Sequence, residues 1–94
     1  MAKLIISPTA RQDLSDIFDY IARDKPIAAA NWVAKIEQKC RVIAATPDFG
    51  ESRPEYGSEI RSNVVGRYVI FYRAIDGGIE VARVIAGDRD IRSL

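Results

Sequence analysis

The chain of 94 residues contains no histidine. That absence removes the commonest general base, and with it every Ser-His or Cys-His nucleophile arrangement. There is a single cysteine, Cys40, so no internal disulfide forms, and no cysteine spacing resembles a zinc site. No apolar run is long enough to span a bilayer and no secretory signal opens the sequence. The expectation is a cytoplasmic protein with no membrane association. A phosphate-cradling glycine loop is also lacking, because Gly77-Gly78 falls between two strand-like runs and does not open a helix. Asp13, Asp16 and Asp19 recur at three-residue spacing, which reads as a solvated helix face without converging metal ligands. Nothing in the sequence calls for a cofactor or a metal.

What is present is one globular domain, residues 1–94, at 48% hydrophobic and 29% charged. The net charge of +1 gives no global signature of nucleic-acid binding, and no sequence-specific contact with DNA or RNA is expected. The charge is nevertheless uneven. Residues 47–60 hold Asp48, Glu51, Glu55 and Glu59 against Arg53 alone. Residues 61–94 carry Arg61, Arg67, Arg73, Arg83, Arg89 and Arg92 but no lysine. Arginine used to the exclusion of lysine suits bidentate contact with carboxylates or phosphates. The alternative is that strand arginines cover sheet edges and lie over apolar surface.

Lys3–Ser7 reads as a first strand, stopped by Pro8. A helix follows, starting either at Thr9 with Gln12 as a capping box or two residues earlier at Ser7 before Pro8. Its apolar positions are Ala10, Leu14, Ile17, Phe18 and Ile21. Pro26 opens a second helix after a very short link. That helix carries the stripe Ala29, Trp32, Val33, Ile36, Cys40, Ile43 and Ala44, and Thr46-Pro47 closes it. So short a link predicts an antiparallel helix hairpin. Trp32 belongs either to the core or to the lining of a groove at an interface. Residues 47–58 read as an ordered loop. Three strand-like runs follow, 60–65, 68–74 and 79–86, the last two joined by the turn Asp76-Gly77-Gly78. Tyr68, Ile70 and Tyr72 alternate with Val69, Phe71 and Arg73, and both sets are largely apolar, as in a central strand. The expected fold is α+β: an N-terminal strand, a helix hairpin and a three-stranded antiparallel meander, with the hairpin covering one face of an antiparallel sheet in two layers.

Several segments together resemble the ParE branch of the RelE/ParE toxin superfamily. They are Ala10–Ala22, Pro47–Pro54, Ile60-Arg61-Ser62, Gly66–Arg73 and Arg83–Asp90, in that order, spanning nearly the whole chain. The resemblance implies a bacterial type II toxin neutralised by a ParD-like antitoxin, with DNA gyrase as its target and no catalysis of its own. The RelE branch instead cleaves messenger RNA on the ribosome with basic residues and often a C-terminal tyrosine. Arg61 and Arg89 fall at or near such basic positions. Gly57, Ser58 and Glu59 stand where RelE enzymes offer lysines, and no tyrosine follows Arg89. An acid at a phosphate site repels the substrate, and the proton donor is missing, which favours ParE over the ribonuclease alternative. Arg61, Arg67, Arg83, Arg89, Ile91, Arg92, Leu94 and Trp32 are the candidates for target or antitoxin contact. Ile91 and Leu94 serve either as part of a contact segment or as caps on the core.

Overall fold

The computed structural model describes residues 1–87. The first strand, β1, runs Lys3–Ile6 and is followed by α1 over Pro8–Ala22 and α2 over Pro26–Ala45. A two-residue strand, β2 (Glu51–Ser52), lies between two short 3-10 turns at Pro47–Phe49 and Pro54–Tyr56. Then come β3 (Ile60–Val65), β4 (Tyr68–Ile75) and β5 (Gly78–Ala86). Of the two helix starts, the earlier one is used. Ser7 is the N-cap, its Oγ accepting from the Ala10 N–H at 3.0 Å, with Pro8 supplying the fixed φ of the first turn.

The five strands form one sheet in the order β1-β5-β4-β3-β2. The meander β3-β4-β5 is antiparallel. β1 departs from the expected antiparallel sheet: it pairs with β5 in parallel, Leu4 beside Ile79 and Ile6 beside Val81. Chain direction explains this. The two helices of the hairpin cancel, so the chain leaves α2 near the end of the sheet where β1 finished. Residues 47–58, expected as an ordered loop, make the return journey, with β2 running antiparallel to β3 on the way. β3 therefore starts where β1 started, and two hairpins later β5 runs parallel to β1.

β4 sits centrally and presents Tyr68, Ile70 and Tyr72 to the helices, all buried. They meet Leu14 from α1 and Ile36, Cys40 and Ile43 from α2. Phe18, counted on the apolar stripe of α1, turns out exposed. On the opposite face Phe71 is buried as well, because Tyr56 packs edge-on against it at 5.3 Å and the Arg53 guanidinium lies 5.7 Å from its ring. In β5 the ladder slips: Phe71 pairs with Arg83 and Tyr72 with Val81, leaving Ala82 as the extra residue of a β-bulge. The slip changes the phase of the alternation, so Ile79 and Val81 before it and Val84 and Ala86 after it all turn to the helices.

At the β3–β4 turn Gly66 has φ of 59°, and a Cβ there would strike the Trp32 ring at Cη2. Gly66→Ala is expected to lower stability by about 2 kcal/mol or more, combining left-handed strain with overpacking; an unchanged urea midpoint would contradict this packing. Burial pushes the Cys40 thiol up to about 11, whereas an unfolded chain loses that proton near about 8.5. Between those values the native state holds the extra proton, so the thiol's contribution to stability is lost as pH rises through that window. Native protein at pH 8 should leave Cys40 unmodified by a thiol reagent and react only on unfolding. Rapid native labelling would refute the buried placement.

Candidate functional site

The candidate arginines lie on different sides of the sheet. In the ladder Arg61 stands opposite Tyr72, which puts it on the helix side of β3. Its Nη1 donates to the carbonyls of Gly50 (3.0 Å) and Asp48 (3.3 Å). Tyr72 Oη donates to the Pro47 carbonyl at 2.8 Å. Three carbonyls of the turn after α2 are thus gripped from the sheet. Gly50 is required there, since a Cβ on it would run into the Tyr72 hydroxyl. Burial raises the Tyr72 phenol above its ordinary value, opposed by a backbone hydrogen bond at Gly50 and by the charge of Arg61. The phenol therefore stays protonated and donates to the loop.

Arg83 lies across the sheet on β5. Its Nε and Nη2 meet the two carboxylate oxygens of Asp13 at 2.8 and 3.0 Å, a bidentate pair joining β5 to α1. Asp13 Oδ2 also accepts the Val84 N–H at 2.9 Å. The hydrogen bonds to Asp13 hold Arg83 charged, above its ordinary value. Arg67 is in the β3–β4 turn, where its carbonyl accepts the Gly87 N–H at 2.6 Å. Trp32 is half-buried, edge-on to Tyr68 at 5.7 Å, with the Lys35 ammonium 4.9 Å from its ring centre. The candidates Arg89, Ile91, Arg92 and Leu94 lie outside the described residues.

Three participants did not stand out in the sequence. Asp13 was read as one of a solvated row of aspartates, yet its side chain is 11% exposed. Tyr72, expected on a largely apolar central strand, also holds the loop. Arg53 reaches back over Tyr56 and Phe71 and donates to Ser62 Oγ at 3.3 Å and Glu55 Oε2 at 3.2 Å. A shallow hollow of about 230 Å³ beside the gripped turn is lined by Asp48, Ser52, Ser58, Glu59, Ile60, Arg61 and Ala74. Its two carboxylates flank the arginine, so the field there disfavours a phosphate. Among the described residues no group of three or more potential metal ligands converges.

A helix hairpin laid on one face of a five-stranded sheet defines the class: a small two-layer α+β protein of RelE/ParE-like fold. A structure of the chromosomal ParDE toxin–antitoxin system from P. aeruginosa shares this fold with a TM-score of 0.77, at 20% identity over 92% of this chain and 96% of that one. The model of the ParE toxins of type II toxin–antitoxin systems matches residues 4–91, and the chain belongs to that family. Among curated proteins none matches the sequence.

Removing Asp13 takes away both the Arg83 partner and the Val84 acceptor. Asp13→Ala should cost about 2–3 kcal/mol and Arg83→Ala, which leaves Asp13 bonded to Val84, only about 1 kcal/mol. Equal losses in urea unfolding would show that the backbone contact is immaterial.

Proposed function

We propose that this ParE-family chain acts as the toxin of its pair by binding DNA gyrase, with no chemistry of its own, and that a ParD-like antitoxin neutralises it. The family match over residues 4–91 carries the reading. Three features of the side chains support it. The sequence offers no histidine to move a proton. Arg61, one of the two arginines at or near nuclease positions, is committed to two carbonyls of its own chain. Tyr72, the phenol beside it, has its proton directed into the Pro47 carbonyl and its acidity reduced by burial.

One observation favours the ribonuclease alternative. Arg61 and Tyr72 are ladder partners, so a cation and a phenol stand side by side. Bringing them to a scissile phosphate requires giving up three hydrogen bonds to the 47–50 turn, which makes the binding role the better supported one.

Antitoxin contact is assigned to an amphipathic helix docking in an apolar groove near Trp32, with arginines of the strand region receiving its carboxylates. Arg67 and the residues Arg89, Ile91, Arg92 and Leu94 belong to this proposed contact set. A cytoplasmic location accords with this role, and no described helix is long and apolar enough to cross a membrane. Expression without the antitoxin should arrest growth while ribosome-bound messages stay intact, and co-expression of the antitoxin should restore growth. Cleaved messages at codon positions would replace the gyrase reading by the ribonuclease one. Arg61→Ala and Arg83→Ala, by releasing the 47–50 turn and the Asp13 carboxylate that these arginines hold, should each weaken the antitoxin complex about tenfold; unchanged affinity of both in a titration would remove these segments from the interface.

A further inference from the structure

The short turn after α2 is fixed at nearly every step. Phe49 N–H donates to the Thr46 carbonyl at 3.1 Å, and the carbonyls of Pro47, Asp48 and Gly50 accept from Tyr72 Oη and Arg61 Nη1. Pro47 sets φ where the turn begins, and Gly50 is buried against the Tyr72 hydroxyl where it ends. Between these points the Phe49 side chain is 81% exposed. An apolar ring turned to solvent on a rigid turn is already in its docking geometry, so little freedom is lost when a partner covers it. Val42, in the last turn of α2, is exposed as well, and Thr46 Oγ1 donates to its carbonyl.

The charge around the ring selects the partner. Residues 47–60 hold four acids to one base, while the remainder of the chain holds thirteen bases to nine acids. Arg53 is shared between Glu51 and Glu55, whose side chains both stay exposed. Asp48, next to Phe49, and Glu59 line the shallow hollow beside the turn. Among the described residues no base forms an ion pair with either. An exposed aromatic ring amid unpaired carboxylates complements a surface where lysines or arginines surround an apolar cleft. Surfaces that hold DNA carry that charge, because they neutralise phosphates. A second copy of this chain fits poorly, since a two-fold contact at the turn would set acid against acid. The groove near Trp32, assigned above to the antitoxin helix, lies about 20 Å back along α2, so the two contacts can be read separately.

We propose that Phe49, with Asp48 and Glu59, is the contact by which this chain occupies a basic, DNA-holding surface of its target. The assignment rests on the gyrase reading above and adds to it the part of the chain that makes the contact.

The test is a titration of supercoiling by purified gyrase with the folded, antitoxin-free chain and its variants. Fold is checked by urea unfolding and by complex formation with the antitoxin. Phe49→Ala should keep the urea midpoint, because the ring is exposed, and should raise the half-inhibitory concentration about tenfold or more. Phe49→Tyr, which keeps the ring, should stay within about threefold of the unaltered chain. Asp48→Asn combined with Glu59→Gln should raise the concentration about three- to tenfold and flatten its dependence on salt. Inhibition by Phe49→Ala equal to that of the unaltered chain overturns the contact and leaves the gyrase reading standing. Unchanged inhibition by the double variant overturns the basic surface as the occupant. No inhibition by the unaltered chain overturns both the gyrase reading and the contact. If Phe49→Ala inhibits fully but no longer forms the antitoxin complex, the turn belongs to the antitoxin. If it inhibits fully but dissolves a dimer of the free chain, the turn belongs to a second copy. Either result overturns the proposal.

Discussion

One slipped register in β5 sets the terms for the rest of the molecule. The bulge at Ala82 lets a single strand present Ile79, Val81, Val84 and Ala86 to the helices. It also lets Ser7 Oγ reach the Ala82 carbonyl and Asp13 reach the Val84 N–H. α1 is thereby fastened to the sheet at its cap and again at its second turn. A regular strand would have turned Val84 to the other face and left its N–H directed at β4. The bulge converts a sheet edge into a helix seat.

The return segment depends on the same economy of donors. Residues 47–59 must travel back along the sheet with almost no regular structure, so their carbonyls need partners from elsewhere. Arg61 and Tyr72 provide them at Pro47, Asp48 and Gly50, and Arg53 pins the far part over Phe71. Arginines that look free for a ligand in the sequence are thus partly structural. The segment they stabilise leaves Phe49 exposed at 81%, held on a short turn.

Much of this fold was legible from patterning. The two helices, the central strand, the Asp76-Gly77 hairpin and the two layers follow from periods of 3.6 and 2 and from turn residues. The direction of β1 was not, because strand pairing between the two ends of a chain leaves no local trace. The bulge left a trace that is readable afterwards: Val81 and Val84 both turn to the helices at an odd spacing, which strict alternation forbids. Asp13 was hidden for another reason. Its neighbours Asp16 and Asp19 are solvated, and periodicity alone does not say which of three aspartates meets a strand edge. Of the candidate site residues, Arg61, Arg67, Arg83 and Trp32 can be placed; Arg89, Ile91, Arg92 and Leu94 lie outside the described residues.

The central functional claim is that this histidine-free chain acts by occupying a protein partner. Supercoiling by purified DNA gyrase, assayed with and without the folded, antitoxin-free chain and scored for trapped cleaved DNA, tests it most directly. The account predicts inhibition together with accumulated breaks. Undiminished supercoiling without cleaved DNA would contradict it and leave the family and fold standing without that target.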